Sequence, residues 1–351
     1  MTNNVASGTD GFEAEPNPVF IAEISANHLG KLSRAISLIE AAKEAGATYV
    51  KFQHYSPNTI TAESAHPDFL IKPPSLWAGR RMWDLYQEAM IPWEWTETLV
   101  SKCVEEGIKW FSSPFDETAV DFLEQFNPPM YKVASFEIID IPLIERVALT
   151  GRPIIISTGM ATEEEISEAV DAARKAGNNQ IALLRTNSAY PAPVDEMDLR
   201  AIPYMVEKWG VSVGLSDHTL EHTSAIVATA LGARIFEKHL TLKRSDGGPD
   251  APFSLEPEEF ADYVAKINDA LSSLGTERLG PSPRERDSLR FRPSIRAIKD
   301  IDQGELLTSE NVATVRPAGG MHPRYLPEVM GRHAKAPLFV GDPIFEESLS
   351  A

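Results

Sequence analysis

From Pro18 onward two textures alternate along the chain. Short runs of β-branched and other apolar residues are strand-like, and between them lie longer stretches whose apolar residues recur every three or four positions, as on an amphipathic helix. The strand-like runs are VFIAEIS (19–25), TYVKFQ (48–53), KWFSSPF (109–115), MYKVAS (130–135), PIIISTG (153–159), QIALLRT (180–186), VSVGLSDH (211–218) and RIFEKHLT (234–241). The helical stretches include LSRAISLIEAAKEAG, WTETLVSKCVEEG, EEEISEAVDAARKAG and TSAIVATALGA. Several close on glycine, a common residue just past a helix end. A further helix, EPEEFADYVAKINDALSSLG, follows the eighth strand. Strand and helix alternating through eight units predict a TIM (β/α)8 barrel. A doubly wound open sheet is the alternative, but AEISANHLG after the first strand is not a glycine-rich nucleotide turn.

Two stretches break the repeat. Residues 54–90 follow the second strand and residues 243–254 the eighth, so both leave the ends of strands where barrel active sites lie. After Gly275 the texture changes again. Residues 276–292 are basic and Pro-containing, as in a linker. Residues 293–351 show short strands, turns and frequent Gly and Pro, as in a small β-rich domain. The expected organisation is therefore a lead-in over 1–17, a barrel over 18–275, a linker over 276–292 and a second domain over 293–351.

The polar positions inside the strands carry the functional signal. IFEKHLTL (235–242) places Glu237, Lys238 and His239 in the middle of an apolar strand, at a desolvation cost. The same lapse recurs toward the C-terminal end of most strands. Glu23 precedes Asn27 and His28; Lys51 and Gln53 follow; then come Ser112 and Ser113, and Lys132, Ser135 and Glu137. Asn187, Ser188 and Tyr190 follow strand six, and Ser216, Asp217 and His218 end strand seven. A polar set at one end of a barrel is a constructed site. His218 and His239 come from neighbouring strands, so two imidazoles and a carboxylate could hold a divalent metal as a Lewis acid. Lys51 and Lys132, with Ser113, Ser135, Ser188 and Ser216, suit a phosphate or carboxylate. The structural alternative for the lysines is ion pairing with Glu23 and Glu137. Asn27 and His28 could equally cap the helix that follows.

Composition narrows the partners. The net charge of −18 argues against a nucleic-acid or anionic-membrane partner, though not against a small anionic substrate held by clustered lysines. The single cysteine, Cys103, excludes an internal disulfide and reads as a buried structural thiol. No apolar run reaches membrane-spanning length. The polar start, MTNNVASGTDGFEAEPN, lacks the basic and apolar segments of a signal peptide, so a disordered lead-in to a cytoplasmic enzyme is expected.

At these residues the sequence resembles the sialic acid synthase family. AEISANHLG, VKFQ, FSSPFD, YKVASFEI, PIIISTGMAT, SAYPAP, GLSDHT, EKHLTL and DGGPD carry the resemblance through the barrel, and SIRAIKDIDQGELLTSENV with VRPAGGMHP looks like the family's antifreeze-like (SAF) domain. The resemblance implies condensation of phosphoenolpyruvate with a hexosamine-derived sugar. LYQEAMIPWEW, SSPFDETAVDFLE, KVASFEIIDIPLI and DGGPDAPFSLEPEEF look most like the branch that makes pseudaminic acid from 2,4-diacetamido-2,4,6-trideoxy-L-altrose; neuraminic and legionaminic branches are the alternatives. By this likeness His218 and His239 match ligands of Mn²⁺ or Mg²⁺. Lys51, Ser113, Lys132, Ser135, Ser188 and Ser216 match phosphoenolpyruvate positions, and Gln53, Glu137, Tyr190 and Asp250 match sugar positions. Glu23 matches a carboxylate near the reacting centre. Arg316 matches an arginine that one subunit inserts into its partner, which implies a domain-swapped homodimer. Two departures stand out: Thr186 and Asn187 replace the usual Cys-Thr, and NHLGK puts Leu29 near the mouth. On the residues alone, a metal-dependent aldolase, a sugar isomerase or a non-catalytic sugar-binding protein remain open.

Overall fold

Strand side chains alternate between two faces, and this period organises the first of the chain's two compact units. The structure, a computed structural model, describes residues 18–350; the expected lead-in over 1–17 lies outside the described residues. One unit runs to Gly275 and the other begins at Thr276. In the first, eight parallel strands pair in sequence order: β1 (Val19–Glu23), β2 (Tyr49–His54), β3 (Lys109–Pro114), β4 (Tyr131–Val133), β5 (Ile154–Ser157), β6 (Ile181–Thr186), β7 (Ser212–Asp217) and β8 (Ile235–His239). β8 returns to pair with β1, with His239 opposite Glu23. That closure removes the open-sheet alternative and makes the unit a TIM barrel.

One face of each strand packs under the helices. Phe20, Phe52, Val133, Ile156, Leu183 and Phe236 join Leu38, Leu99, Val120, Val170 and Phe260 from the helices in one continuous core. Cys103 lies buried in this core, as a structural thiol should. The helices start on local signals. Thr162 and Glu165 form a capping box before helix Glu163–Lys175, and Asp116 accepts the first amides of helix Glu117–Leu123.

The other face fills the barrel in two layers. Val19, Ile21, Tyr49, Phe111, Met130, Ile155, Ala182, Leu184 and Ile235 form a separate buried apolar cluster. Two residues further along the same strands the chemistry changes. Ile21 gives way to Glu23, Tyr49 to Lys51, Phe111 to Ser113, Met130 to Lys132, Ile155 to Ser157, Leu184 to Thr186, Gly214 to Ser216 and Ile235 to Glu237, all of the polar ones buried. A full apolar layer thus underlies a full polar one.

The insertion after β2 is ordered, with helices Pro57–Ile60 and Met82–Ala89 and a bridge between Leu70 and Arg81. The segment after β8 carries two short 3-10 turns, Arg244–Asp246 and Ala251–Phe253. The second unit has a nine-residue 3-10 segment, Pro283–Phe291, then β9 (Ser294–Ala297) antiparallel to β10 (Val312–Val315). β11 (His333–Ala334) pairs with β12 (Leu349–Ser350). Ile295, Ile301, Leu307, Val312, Val329, Ile344 and Leu349 make its own core. No helix among the described residues is long and apolar enough to cross a membrane.

Candidate active site

The polar layer opens onto a cavity of about 370 Å³ at the C-terminal end of the barrel. Its floor is a four-residue charge cluster. Glu237 Oε1 accepts from Lys132 Nζ at 2.7 Å, lies 3.1 Å from Lys51 Nζ and accepts from Ser216 at 3.3 Å. Lys51 also pairs with Glu23, whose carboxylate accepts the Ser25 amide at 2.7 Å. Burial opposes every one of these charges, and the number of partners decides the outcome. Burial pushes the Glu237 carboxyl up, but Lys132 and Lys51 together outweigh it and hold it well below the usual range. Glu23 has only Lys51 beside it, and burial leaves its pKa raised. Burial pulls Lys51 down, yet its two carboxylates return it above its ordinary value. Lys132, beside one carboxylate and a second ammonium, is pulled down by burial to about 8. The second carboxylate expected beside Lys132, Glu137, forms no ion pair among the described residues. Burial raises its pKa to about 7, and its Oε2 has no hydrogen-bond partner. Both ammonium-bearing side chains, Lys51 and Lys132, line the cavity, where an anion could meet them.

Above this floor stand the two histidines, with ring centroids 5.5 Å apart. His218 Nδ1 lies 2.7 Å from the Asn187 carbonyl oxygen. A carbonyl only accepts, so Nδ1 carries the proton and Nε2 keeps its lone pair. Burial lowers the His218 pKa to about 4, partly offset by that carbonyl, and drives His239 well below its usual value. His239 Nδ1 is buried without a hydrogen-bond partner and stands 3.9 Å from Asp250 Oδ2. Two neutral imidazoles with lone pairs to give fit a divalent cation. The carboxylate expected as a third ligand is not in place, since no group of three His, Cys, Asp or Glu side chains among the described residues is arranged to hold a metal.

Ser135 and Ser216 line the cavity, while Ser188 does not; Ser188 shares a hydrogen bond of 2.8 Å with Ser135. Gly159 makes their approach possible: a Cβ there would come within 2.4 Å of Ser135 Cβ and 2.7 Å of Ser188 Oγ, and its φ of +48° is left-handed. Gln53, Glu137, Tyr190 and Asp250 all line the cavity. Asp250 accepts from the Ala26 amide, which follows the neighbouring strand β1, at 3.4 Å, and burial raises its pKa. The Tyr190 ring packs 4.4 Å from His218 and 4.8 Å from Phe253. Ser113 does not line the cavity; it is fully buried with its Oγ unpaired, directed inward by the same register as Gln53. Arg316 lies exposed in the second unit. Asn27 and His28 cap nothing. Asn27 donates to the Leu240 carbonyl and Ser254, and His28 accepts the Gly30 amide at Nδ1 while its Nε2 donates to the Ala89 carbonyl at 3.2 Å, so both tie loops together. Leu29 has its side chain against Gly248, where any Cβ would collide with it.

Residues 38–278 match the NeuB family and residues 292–350 match the SAF domain. The chain belongs to the NeuB family. It is similar to the pseudaminic acid synthase of Campylobacter jejuni subsp. jejuni (serotype O:23/36, strain 81-176), at 39% identity over 95% of this chain and 97% of that protein. The pseudaminic acid synthase of Helicobacter pylori is likewise 39% identical, over 95% and 98%. Among solved structures, the N-acetylneuraminic acid synthetase of Leptospira borgpetersenii in complex with citrate superposes with a TM-score of 0.69 at 30% identity, covering 79% of this chain and 92% of that one. The protein is thus an enzyme of the sialic acid synthase family, as the sequence motifs implied.

In this NeuB-family barrel, sequence analysis passed over several residues of the site. Glu237, the hub of the floor, was visible as a strand charge but had no role; its position two residues before His239 puts both on one strand face. Ser157 lines the cavity by the same alternation, beside Thr186, which the sequence had marked only as a departure from the family. Tyr55, Trp77, Tyr86 and Phe253 also line it, and no periodic signal in the loops could have marked them. Lys238 was grouped with its neighbours but faces away from the site. It pairs with Asp217 at 3.0 Å, donates to the Thr219 carbonyl and lies over the Tyr263 ring.

Proposed function

We propose that this enzyme is a pseudaminic acid synthase, joining phosphoenolpyruvate to 2,4-diacetamido-2,4,6-trideoxy-L-altrose with loss of phosphate. The observation that carries the reading is the floor itself: two buried lysines, ion-paired with Glu23 and Glu237 and lining the cavity, below two neutral histidines. Lys51 and Lys132 bind the carboxylate and phosphate of phosphoenolpyruvate, with Ser135, Ser188 and Ser216 donating further hydrogen bonds. Ser113 supports that pocket from behind. Gln53, Tyr190 and Asp250 orient the sugar's hydroxyl and amide groups. His218 and His239 hold a divalent cation, Mn²⁺ or Mg²⁺, which when bound supplies a Lewis acid for the aldehyde oxygen.

Held face to face, C3 of phosphoenolpyruvate forms a bond to the aldehyde carbon, and the aldehyde oxygen takes a proton. Water adds at C2 and gives up a proton to Glu137, whose pKa near 7 suits exchange at neutral pH. Glu23, the other carboxylate not firmly ionised, is the second candidate for that proton. The C2–O bond then breaks with its electron pair going to phosphate, and the hydroxyl left on C2 gives its proton to the departing phosphate as the ketone forms. A cytoplasmic site of action is part of this reading. The family likeness supports a domain-swapped homodimer in which Arg316 of one subunit reaches the barrel mouth of the other. Co-expressing His239→Ala and Arg316→Ala subunits should then restore about a quarter of wild-type activity, since half the dimers carry one intact site. No recovery would rule the swap out.

The direct test is phosphate release from phosphoenolpyruvate with Mn²⁺ and each of three acceptors: the trideoxy-L-altrose, its legionaminic counterpart and N-acetylmannosamine. Turnover of the altrose is expected. Turnover of another acceptor alone would overturn the substrate assignment and keep the family chemistry.

A further inference from the structure

The two histidines above the floor are held differently. His239 has no hydrogen-bond partner at Nδ1. His218 is held on three sides by one segment, the one that follows β6. The Asn187 carbonyl meets its Nδ1 at 2.7 Å, the Tyr190 ring packs against it with centroids 4.4 Å apart, and the Ala192 amide donates to its backbone carbonyl at 2.9 Å. Residues 187–192 therefore set where the His218 ring lies and which of its nitrogens carries the proton.

The shape of that segment depends in turn on the Asn187 side chain. Its Oδ1 accepts the Ala189 amide at 2.9 Å, closing an Asx turn. Its Nδ2 donates to the Glu196 carbonyl at 3.1 Å. Glu196 ends a 3-10 turn, Val194–Glu196, and the carbonyl after it, that of Met197, is tied back to β6 by Arg185 Nε at 3.0 Å. Asn187 thus braces the start of the loop against an anchored far end. It does not itself line the cavity. It also stands at one of the two positions where this chain departs from the family's Cys-Thr pair. A threonine there has one oxygen, closer to the backbone, in place of an amide whose two groups point to opposite sides of the loop.

We propose that Asn187 is a positioning residue for the metal centre: its side chain holds the segment that fixes His218 as the Nδ1–H tautomer and leaves Nε2 free for the divalent cation. The cation belongs to the proposed function, whereas the tautomer is a property of the protein alone, so the two can fail separately. Outer partners that fix a ligating histidine are worth about 10- to 100-fold in metal affinity. A side chain that acts one step further out, through the backbone, should contribute at the lower end of that range.

The test uses the full-length, metal-free enzyme at neutral pH with ¹⁵N-labelled histidine. Imidazole ¹H–¹⁵N correlation spectra report the tautomer, and His218→Gln assigns the signal. Wild type should show His218 protonated at Nδ1, and Asn187→Ala should show a mixture of both tautomers. Calorimetry with Mn²⁺ should give a Kd about tenfold weaker for Asn187→Ala and about threefold weaker for Asn187→Thr, which keeps an acceptor for the Ala189 amide but loses the Glu196 bond. His54, buried between the Ser112 and Thr96 hydroxyls, should keep its signals in both variants and so reports an intact barrel. An unchanged tautomer or an unchanged Kd in Asn187→Ala would overturn the proposal. If that variant loses the His54 signals as well, Asn187→Thr decides, and a wild-type Kd there would overturn it. Wild-type enzyme that binds no Mn²⁺ would take the metal out of the proposed function, while the tautomer in Asn187→Ala still judges whether this side chain positions His218.

Discussion

Two ion clusters sit back to back on β7 and β8. Inside the barrel, Glu237 gathers Lys132, Lys51 and Ser216; outside, Lys238 pairs with Asp217 beneath helix Pro257–Leu274. Neighbours in sequence, Glu237 and Lys238 are both almost fully buried. The outer pair is one charge against one charge, closed over by packing, and has nothing left to offer a ligand. The inner cluster shares its two ammonium groups among Glu23 and Glu237 and opens onto a cavity. Burial alone therefore does not mark a functional charge; open space beside it does.

The comparison can be broken in several ways, beginning with the histidines above the inner cluster. His239→Ala should lower turnover by about 10³-fold or more and abolish binding of Mn²⁺ in calorimetry, with the circular dichroism spectrum unchanged. Full activity or retained metal binding would sink the ligand assignment. The lysines come next. Lys132→Met should lower kcat/KM for phosphoenolpyruvate by about 100-fold with little loss of stability. Lys238→Met should do the reverse. It strands Asp217 and should cost about 3–5 kcal/mol in urea unfolding, with turnover of the folded enzyme nearly unchanged. The same outcome for both variants would erase the distinction between the clusters.

Smaller effects sharpen the picture. Gly159→Ala forces the Ser135–Ser188 pair apart and should raise KM for phosphoenolpyruvate about tenfold; an unchanged KM would remove those serines from the anion site. The smallest effect is on pH. The lowered pKa of Lys132, about 8, keeps it cationic below that pH and neutral above it. KM for phosphoenolpyruvate should therefore rise about fourfold from pH 7 to 8.5. A flat profile would assign the anion to Lys51 alone.

The barrel was legible because its signals are local. Strand and helix periods, glycines past helix ends and the recurrence of polar residues at one end of each strand all lie within a few positions of one another. The histidine pair and both floor lysines were visible for the same reason. Glu237 was visible as a charge but not as the hub, because its partners come from β2 and β4. The alternative pairing of the lysines with Glu137 did not form, and spacing could not show it, since Glu137 sits in a 3-10 turn after β4 and lines the same cavity as Lys132 without an ion pair between them.

By itself, the sequence determined the eight-fold alternation, the small second domain's texture and which end of the barrel carries polar groups, because each is a matter of period and composition along the chain. Only the tertiary structure decided which carboxylate meets which lysine, how many charges each one faces and that the insertion after β2 lines the cavity with uncharged side chains. Those depend on distances between residues far apart in the chain, and the balance of burial against partners that sets each charge exists only once the barrel has closed.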